Sequence, residues 1–350
     1  MSTDPELDTL LLPFATGQLT WPTVGGALFL RARASAGLRE IAGPGLRCEQ
    51  RYKPAVDALA REGWSLCTAE EAAAARYPLV LMLPPRQRQE ARALLAQAVA
   101  CCAPDGTIVA CMANDEGARS GESDLKALAG LSGSLSKNHC RVYWSRVNAA
   151  TCDASLLETW RELDAPRPIL DGRFISRPGV FAWDRIDPAS ALLAEHLPAM
   201  LAGRAADLGC GFGYLSAELL QRCAGITSLD LYEAEARALD LARHNLAPRA
   251  DDVSLNFEWH DVTRGLPRRY DVIVCNPPFH AQGAGDRPDI GRAFITAAAE
   301  ALLLGGRLWM VANRHLPYES VLDARFGTVR IVTQARGFKI IEAVKAGASR

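Results

Sequence analysis

The heptapeptide DLGCGFG at residues 207–213 decides the fold of the C-terminal half of this chain. It follows the short segment Arg204-Ala205 and leads into the apolar run 214–220, so the sequence predicts a strand, a glycine turn and a helix. Glycines at alternate positions let the backbone turn tightly and approach a ligand closely. The spacing differs from the GxGxxG of dinucleotide folds, and the absence of Lys-Ser/Thr after the glycines excludes a P-loop.

The acid that precedes these glycines indicates the kind of ligand. A carboxylate at Asp207 suits a ligand with a positively charged amino group, as in S-adenosylmethionine, better than it suits a pyrophosphate. We therefore predict that Asp207, Gly209, Gly211 and Gly213 bind the amino-acid end of that cofactor.

Two further acids stand at predicted strand ends. Residues 226–232 are predicted to form the next strand, and an acid at its end, Glu233, can accept from both hydroxyls of a ribose. Asp230 is an alternative for this role, although strand alternation puts it in mid-strand. Asp261 follows the next apolar segment and can accept from an adenine amino group. Taken singly, each acid is better explained as a solvated loop residue, and their order at successive strand ends is what favours binding.

A fourth motif, Asn276-Pro277-Pro278-Phe279, follows the apolar run 272–275, which is predicted to be a buried parallel strand. It therefore lies at the carboxyl end of a strand, where open α/β sheets bind ligands. The prolines fix two φ angles and remove two N–H donors, so the loop presents acceptors. We predict that Asn276 and the Pro277 carbonyl accept from a planar NH2 group while Phe279 stacks on its plane.

These motifs in this order, DLGCGFG, the acid of YEAE, HDV and NPPF, resemble the Rossmann-like S-adenosylmethionine-dependent methyltransferases. Within them, NPPF followed by His280, with VAN at 311–313 and LPY at 316–318, is similar to the bacterial small-subunit-type ribosomal RNA guanine-N2 methyltransferases. The stretch 179–187 is similar to that family's GVFSxDxxD segment, which implies that Phe181 lies close to the cofactor. The resemblance covers residues 170–345 and is only architectural over 1–150.

The resemblance implies that the chain methylates the exocyclic N2 amine of a guanine flipped out of ribosomal RNA, that of the small subunit being favoured. His280 either relays the proton that the methylated nitrogen loses or is a structural loop residue. Adenine-N6 nucleic-acid methyltransferases and glutamine-N5 protein methyltransferases share the NPPF or NPPY loop and stay open as alternatives. A non-catalytic RNA-binding or ribosome-assembly module is a further alternative, against which the intact glycine loop argues.

An internal repeat predicts the architecture of the whole chain. Residues 77–86, YPLVLMLPPR, align without a gap with residues 270–279, YDVIVCNPPF. We expect an α/β protein of two tandem Rossmann-like methyltransferase domains that arose by duplication: a degenerate copy at 1–150, a linker at 151–174 and a catalytic copy at 175–350. Leu83 and Arg86 replace Asn276 and Phe279, and no glycine-rich loop follows the first strand. The first copy is therefore predicted to bind no cofactor and to serve RNA docking or a structural role.

Composition narrows the remaining possibilities. The 350 residues, 49% of them hydrophobic, are enough for about two domains. The net charge of −1 does not indicate naked nucleic acid as the partner, so RNA within a ribosomal subunit is favoured. Basic residues nevertheless cluster locally, either to contact phosphates or as an ordinary solvated face: they are Arg264, Arg268, Arg269, Arg287, Arg292, Arg314 and His315.

The sequence also predicts location and cofactor class. Residues 1–19 contain three acids and no Lys or Arg, and no apolar run is long enough to span a membrane, so neither a signal peptide nor a membrane contact is expected. Ten cysteines without a CxxC pair indicate a reduced, cytoplasmic protein. Six scattered histidines predict no metal. Two fused copies make a monomer the expected state.

Overall fold

The computed structural model describes residues 4–278 and 288–346. The chain divides into two compact units, one of Met1–Ala165 with Arg177–Gly179 and one of Pro166–Ser176 with Val180–Arg350. Phe279 and His280, both singled out above, lie outside the described residues, as does Arg287. Each unit is described by itself below.

The first unit is a seven-stranded sheet with helices on both faces. Its strands are β1 (Ala27–Leu30), β2 (Leu46–Glu49), β3 (Ser65–Cys67), β4 (Tyr77–Met82), β5 (Cys102–Ala113), β6 (Gly133–Lys137) and β7 (Cys140–Arg146). Its helices are α1 (Pro5–Leu10), α2 (Leu12–Ala15), α3 (Ala36–Ile41), α4 (Lys53–Arg61), α5 (Ala69–Ala73), α6 (Arg88–Cys101), α7 (Ala118–Ala129) and α8 (Ala154–Arg161), with a 3-10 turn at Asn114–Glu116. The strand order is β3-β2-β1-β4-β5-β7-β6, and β7 is antiparallel to both of its neighbours.

The second unit opens with a hairpin of two short strands, β8 (Arg167–Ile169) and β9 (Phe174–Ser176). Its main sheet consists of β10 (Ala202–Leu208), β11 (Gly225–Glu233), β12 (Ser254–Trp259), β13 (Tyr270–Cys275), β14 (Leu302–Asn313), β15 (Thr328–Ala335) and β16 (Phe338–Val344). Its helices are α9 (Pro188–His196), α10 (Tyr214–Arg222), α11 (Ala236–Leu246), α12 (Pro288–Ala301) and α13 (Glu319–Asp323), with 3-10 turns at Ala247–Arg249 and Val262–Arg264. The strand order is β12-β11-β10-β13-β14-β16-β15.

The two sheets have the same topology. Each strand of the first sheet has a counterpart nine strands later, and β16, like β7, is antiparallel to both neighbours. The predicted duplication of an α/β domain is therefore confirmed.

Strand alternation divides the core of the second unit into two layers. Ala205 and Leu231 pack on one face of the sheet, and their neighbours in sequence, Ala206 and Tyr232, pack on the other. Because helices cover both faces, the central strands are apolar on both sides. Polar side chains are then concentrated at the ends of the strands, where the site is built.

The stretch 151–174, predicted as a linker, contains regular structure. Helix α8 belongs to the first unit, and Trp160 on it is buried in that unit's core. The hairpin β8–β9 belongs to the second unit. Asn245 on α11 holds this hairpin: its Oδ1 accepts from Ile175 N at 2.7 Å, and its Nδ2 donates to Ile175 O at 2.9 Å and to Phe212 O at 2.8 Å.

Candidate active site

Three of the predicted site residues stand at neighbouring strand ends, on one edge of the second sheet. In the parallel register Leu208 pairs with Tyr232 on one side and with Cys275 on the other. Gly209 directly follows β10, Asn276 directly follows β13, and Glu233 is the last residue of β11. Side chains that are far apart in sequence therefore meet at the carboxyl end of β10, β11 and β13.

The glycine loop requires glycine for two different reasons. Gly209, Gly211 and Gly213 all have positive φ, at 74°, 55° and 92°, which side chains disfavour. A Cβ on Gly213 would also lie 3.3 Å from Ala242 Cα, because the start of α10 packs against α11. At Gly211 no described atom lies within 4 Å of a Cβ position, so the space above it is free for a ligand.

Asp207 is a buried carboxyl beside this loop, with an exposed fraction of 1%. Its Oδ2 accepts from Ser216 Oγ, on the first turn of α10, at 2.6 Å. Burial raises the pKa of Asp207 to about 7; the hydrogen bonds from Ser216 oppose this shift and the charge of Glu233 adds to it. The carboxyl is therefore poised to ionise near neutral pH, and a nearby cation would favour its charged form.

Glu233 holds the turn that follows β11. Its Oε2 accepts from Gly211 N at 2.8 Å, and its Oε1 accepts from Ala234 N at 2.7 Å and Glu235 N at 2.9 Å. Burial raises the pKa of Glu233, and these backbone N–H groups oppose the rise. A carboxylate with about four acceptor positions keeps one for a ligand after three such bonds.

Asp230, the alternative to Glu233, has a structural role. It is buried within β11 and accepts from Tyr270 OH at 2.6 Å, from an Arg268 nitrogen at 2.8 Å and from Asn256 Nδ2 at 2.8 Å. Burial alone would raise the pKa of Asp230, but these donors hold it below its usual value. Asp230 is thus committed to a cluster inside the sheet, which leaves Glu233 at the strand end.

Asp261 lies one strand further out. The register pairs Glu233 with Trp259, so Asp261 stands two residues beyond the end of β12. Its Oδ1 accepts from Thr263 N at 3.0 Å and from Thr263 Oγ1 at 2.6 Å, which caps the short turn 262–264.

Asn276 is held by two residues at the start of α9. Its Nδ2 donates to Asp187 Oδ2 at 3.0 Å and to Ser190 Oγ at 2.8 Å. Asp187 is the N-cap of that helix, and its Oδ2 also accepts from Ser190 N at 2.8 Å. Pro188 at the first helical position supports this start.

One pocket joins several of these groups. Phe181, Asp207, Gly209, Gly211 and Asn276 line it, and Phe181 is exposed over 66% of its surface. Four of the predicted site residues that the structure describes do not line this pocket: Gly213, Glu233, Asp261 and Pro277. Gly213 is the N-cap of α10, and Glu233 is hydrogen-bonded to the backbone of Gly211. The other lining residues are Ala182, Asp187, Ser190, Cys210, Phe212, Tyr214 and Leu215.

Sequence reasoning assigned no role to three polar residues of this site: Asp187, which ends the GVFSxDxxD-like stretch, Ser190 and Ser216. A signal existed for the first two, because an N-cap acid, a proline and a serine at 187–190 mark a helix start whose first turn can point polar groups at a neighbour. Ser216 lies on the first turn after the glycine loop, where its hydroxyl can reach back to the acid that precedes the loop.

Neither a metal-ligand cluster nor a membrane-spanning helix is present among the described residues. Between residues 4 and 278 and between 288 and 346, no three or more His, Cys, Asp or Glu side chains are grouped as metal ligands would be. Within the same ranges, no helix has the length and apolar character that crossing a bilayer requires.

Comparison with known proteins places this site in context. Residues 171–342 match the family model described as "Methyltransferase small domain". The chain is 31% identical over 286 residues to "Ribosomal RNA small subunit methyltransferase C" of Serratia proteamaculans (strain 568), covering 81% of this chain and 79% of that protein. It is 31% identical over 310 residues to the protein of the same name from Pseudomonas paraeruginosa (strain DSM 24068 / PA7), covering 83% of this chain and 92% of that one.

A solved structure matches nearly the whole chain. The "T. Thermophilus 16S rRNA N2 G1207 methyltransferase (RsmC) in complex with AdoMet and Guanosine" superposes with a TM-score of 0.78 at 25% identity, covering 98% of this chain and 92% of that one. The predicted fold class, two tandem Rossmann-like methyltransferase domains, is thereby confirmed.

Proposed function

This chain belongs to the ribosomal RNA small subunit methyltransferase C family, and from that premise we propose that its second unit transfers the methyl group of S-adenosylmethionine to the N2 amine of a guanine in small-subunit ribosomal RNA. One observation carries the proposal: Asn276 stands in the same pocket as Asp207 and the glycine loop, and its amide nitrogen already donates to Asp187 and Ser190. An acceptor for an amine and an acid for an ammonium group thus share one pocket.

The residues around the pocket fit the cofactor. Asp207, poised between its neutral and ionised forms, gains a partner in the cofactor's ammonium group, and Gly211 leaves open space for the amino-acid end. Glu233 offers its remaining acceptor position to a ribose hydroxyl, and Asp261, whose Oδ1 is occupied by Thr263, offers its other oxygen to the adenine amine. Phe181 packs close to the bound cofactor at the rim of the pocket. When bound, the cofactor supplies a sulfonium methyl group.

Catalysis comes mainly from orientation. Asn276 Oδ1 and the Pro277 carbonyl accept the two N–H bonds of the guanine amine and direct its lone pair at the methyl carbon. A carbon–nitrogen bond forms as the carbon–sulfur bond breaks, and the methylated nitrogen then releases a proton to solvent or to His280. In this proposal Phe279 stacks on the base; neither Phe279 nor His280 is among the described residues.

The partner in this proposal is ribosomal RNA inside a ribosomal subunit, and the enzyme acts as a cytoplasmic monomer. The small net charge of −1 favours an assembled particle, because naked RNA is usually bound by a strongly basic surface. All ten cysteines are free thiols, as in a reducing compartment. The first unit binds no cofactor and contributes RNA docking or stability.

The test is methyl transfer to defined substrates. The purified chain is incubated with labelled S-adenosylmethionine and, separately, small subunits, large subunits, free ribosomal RNA, DNA or a release factor. We expect label in small-subunit RNA, released on digestion as N2-methylguanosine. Label in N6-methyladenine or only in protein would contradict the assignment in favour of the adenine-N6 or glutamine-N5 alternative. Failure to bind the cofactor would favour a non-catalytic assembly module.

A further inference from the structure

We propose that Asp187 and Ser190 are positioning residues that lock the Asn276 amide with its oxygen turned toward the amine of the substrate. This rests on the proposed function, because it gives Asn276 the role of acceptor. It assigns a task in the reaction to the N-cap and to a first-turn residue of α9, for which the sequence suggested no role. The three side chains, Asp187, Ser190 and Asn276, are called the amide clamp below.

The orientation of the amide follows from the chemistry of its partners. A carboxylate has only acceptor oxygens, so the side facing Asp187 must be the NH2 group of Asn276. That nitrogen donates to Asp187 Oδ2 at 3.0 Å and to Ser190 Oγ at 2.8 Å, so both N–H bonds are used. A substrate can therefore reach this side chain only through Oδ1. In the flipped orientation, Oδ1 would face a carboxylate oxygen, and two acceptors would repel each other.

The clamp is rigid because its two outer members are fixed by the fold. Asp187 caps α9 through Ser190 N at 2.8 Å, and Ser190 is exposed over only 9% of its surface. Leu192 and Leu193, in the same helix, are buried in the core of the second unit. An acceptor held this way is aligned before the substrate arrives, which is how positioning accelerates a reaction.

The first unit contains the same helix start without the clamp. Helix α1 packs on β5 and β7 as α9 packs on β14 and β16. It too begins with an Asp-Pro pair, and Asp4 caps it by accepting from Leu7 N at 3.1 Å. Leu7 takes the position of Ser190, and Leu83 takes the position of Asn276.

Both polar partners of the acid are thus leucines in the first unit, and Leu7 and Leu83 are buried in one apolar cluster. The cap persists in both copies, whereas the serine and the asparagine are present or absent together. Capping alone therefore accounts for Asp187 as the start of a helix, but not for Ser190 and Asn276.

The experiment compares Asp187→Gly and Ser190→Ala with Asp4→Gly, which makes the same change at the matching cap of the first unit. Glycine is accepted at a helix N-cap with little loss of stability and has no side-chain oxygen, so Asp187→Gly keeps the helix but lets the Asn276 amide turn over. We measure the single-turnover methylation rate on small-subunit RNA, the cofactor Kd and the thermal midpoint. We expect Asp187→Gly to slow transfer by about 10- to 100-fold, Ser190→Ala to slow it less, and Asp4→Gly to leave it unchanged. Cofactor Kd should stay within about threefold in all three.

A double variant separates a positioning role from a structural one. If Asp187 acts through Asn276, adding Asp187→Gly to Asn276→Ser should not slow transfer further, since the two changes remove one function. A full multiplicative loss, an unchanged rate in Asp187→Gly, or a rate loss matched by a lower thermal midpoint would overturn the clamp. Where Asp187→Gly fails to fold, Ser190→Ala decides, because it leaves the cap intact. If the wild type methylates small-subunit RNA and these variants do so at the same rate, only the amide clamp is overturned. If the wild type does not methylate that RNA, the proposed function is overturned together with the clamp.

Discussion

The two copies of the sheet differ most where the second copy carries its site. Since Leu30 pairs with Met82 as Leu208 pairs with Cys275, the two registers can be laid over each other. Phe29 then takes the place of Asp207 in the first copy, and Phe29 is fully buried. The strands and their order are kept while the buried acid is replaced by an apolar side chain. The framework therefore forms without an acid at this position, so the fold alone does not account for Asp207.

The end of the second strand, β2 in the first copy and β11 in the second, gives a further contrast. Gln50 in the first copy matches Glu233, and its Oε1 accepts from Arg51 N at 2.9 Å and Tyr52 N at 3.0 Å, as Glu233 Oε1 accepts from the two N–H groups that follow it. The turn needs an acceptor in both copies. The negative charge is present only in the second copy, where we propose that a ribose is bound.

The first residue after β1 gives a third contrast. Arg31 occupies the place of Gly209 and keeps a positive φ of 55° despite its side chain. Its guanidinium pairs with Glu90 at 3.0 Å. The first copy has a long side chain where the second has a glycine that lines the pocket, which agrees with the prediction that the first copy binds no cofactor.

The largest effect is expected from Asn276→Leu, which replaces the proposed amine acceptor with the leucine found at the matching position, Leu83, of the first copy. Asn276→Leu should slow methyl transfer by about 1,000-fold, because a preorganised acceptor is removed from the reacting amine. Cofactor binding, measured by calorimetry, should stay within about threefold. The reverse change, Leu83→Asn, is the control and should leave transfer unaltered. Turnover that survives Asn276→Leu would remove Asn276 from the mechanism.

The buried acid should make stability depend on pH. Asp207 has a raised pKa of about 7 against an ordinary value of 3.8. Its contribution is therefore fully present below pH 3.8 and is lost as pH rises through 7, by up to about 4 kcal/mol. Asp207→Asn cannot ionise, so the free energy of unfolding of wild type relative to this variant should fall between pH 4 and 8. Parallel curves for the two proteins in urea titrations would disprove the coupling.

Cofactor affinity should show the opposite dependence. An ammonium group binds the ionised form of Asp207, so the Kd should improve by up to about tenfold per pH unit as pH rises toward 7. Asp207→Asn should weaken binding by about 10- to 100-fold at pH 8 and should abolish the pH dependence, as followed by calorimetry. A variant that keeps the wild-type slope would show that another group titrates.

The smallest effect is expected at the open glycine. Gly211→Ala should cost about 1 kcal/mol of stability through its φ of 55°, since nothing described crowds the new methyl group. The same methyl group would occupy the space offered to the cofactor, so the Kd should rise several-fold. Gly63→Ala, at a φ of 77° in the first unit with no described atom within 4 Å of its Cβ position, is the matched control and should change stability alone. Equal cofactor binding by both variants would place the ligand elsewhere.

The sequence predicted the architecture well because the evidence for it is local. The repeat of 77–86 at 270–279 predicted two domains of one topology, and the strand orders agree. The glycine loop and Asn276 were placed at one sheet edge because each follows an apolar strand. Phe279 and His280 stay predictions.

What the sequence did not predict depends on contacts between distant residues. Asp187 and Ser190 lie 89 and 86 residues from Asn276, and no local pattern joins them. The raised pKa of Asp207 follows from burial by surrounding elements and from the charge of Glu233, neither of which a motif displays. The linker at 151–174 was predicted from Pro166 and Pro168, and helix α8, which ends at Arg161 before them, was not predicted.

The double role of Asp187 limits which residues can stand at position 187. A single oxygen, Asp187 Oδ2, serves both the helix start and the Asn276 amide. A library of residue 187 selected only for folding should retain Asn, Ser and Thr beside Asp, because all of them cap helices. Selection for methylation should keep Asp and, to a lesser degree, Asn, because their capping oxygen also reaches the Asn276 amide. The residues lost between the two selections would measure how much of this position's constraint comes from the reaction rather than from the fold.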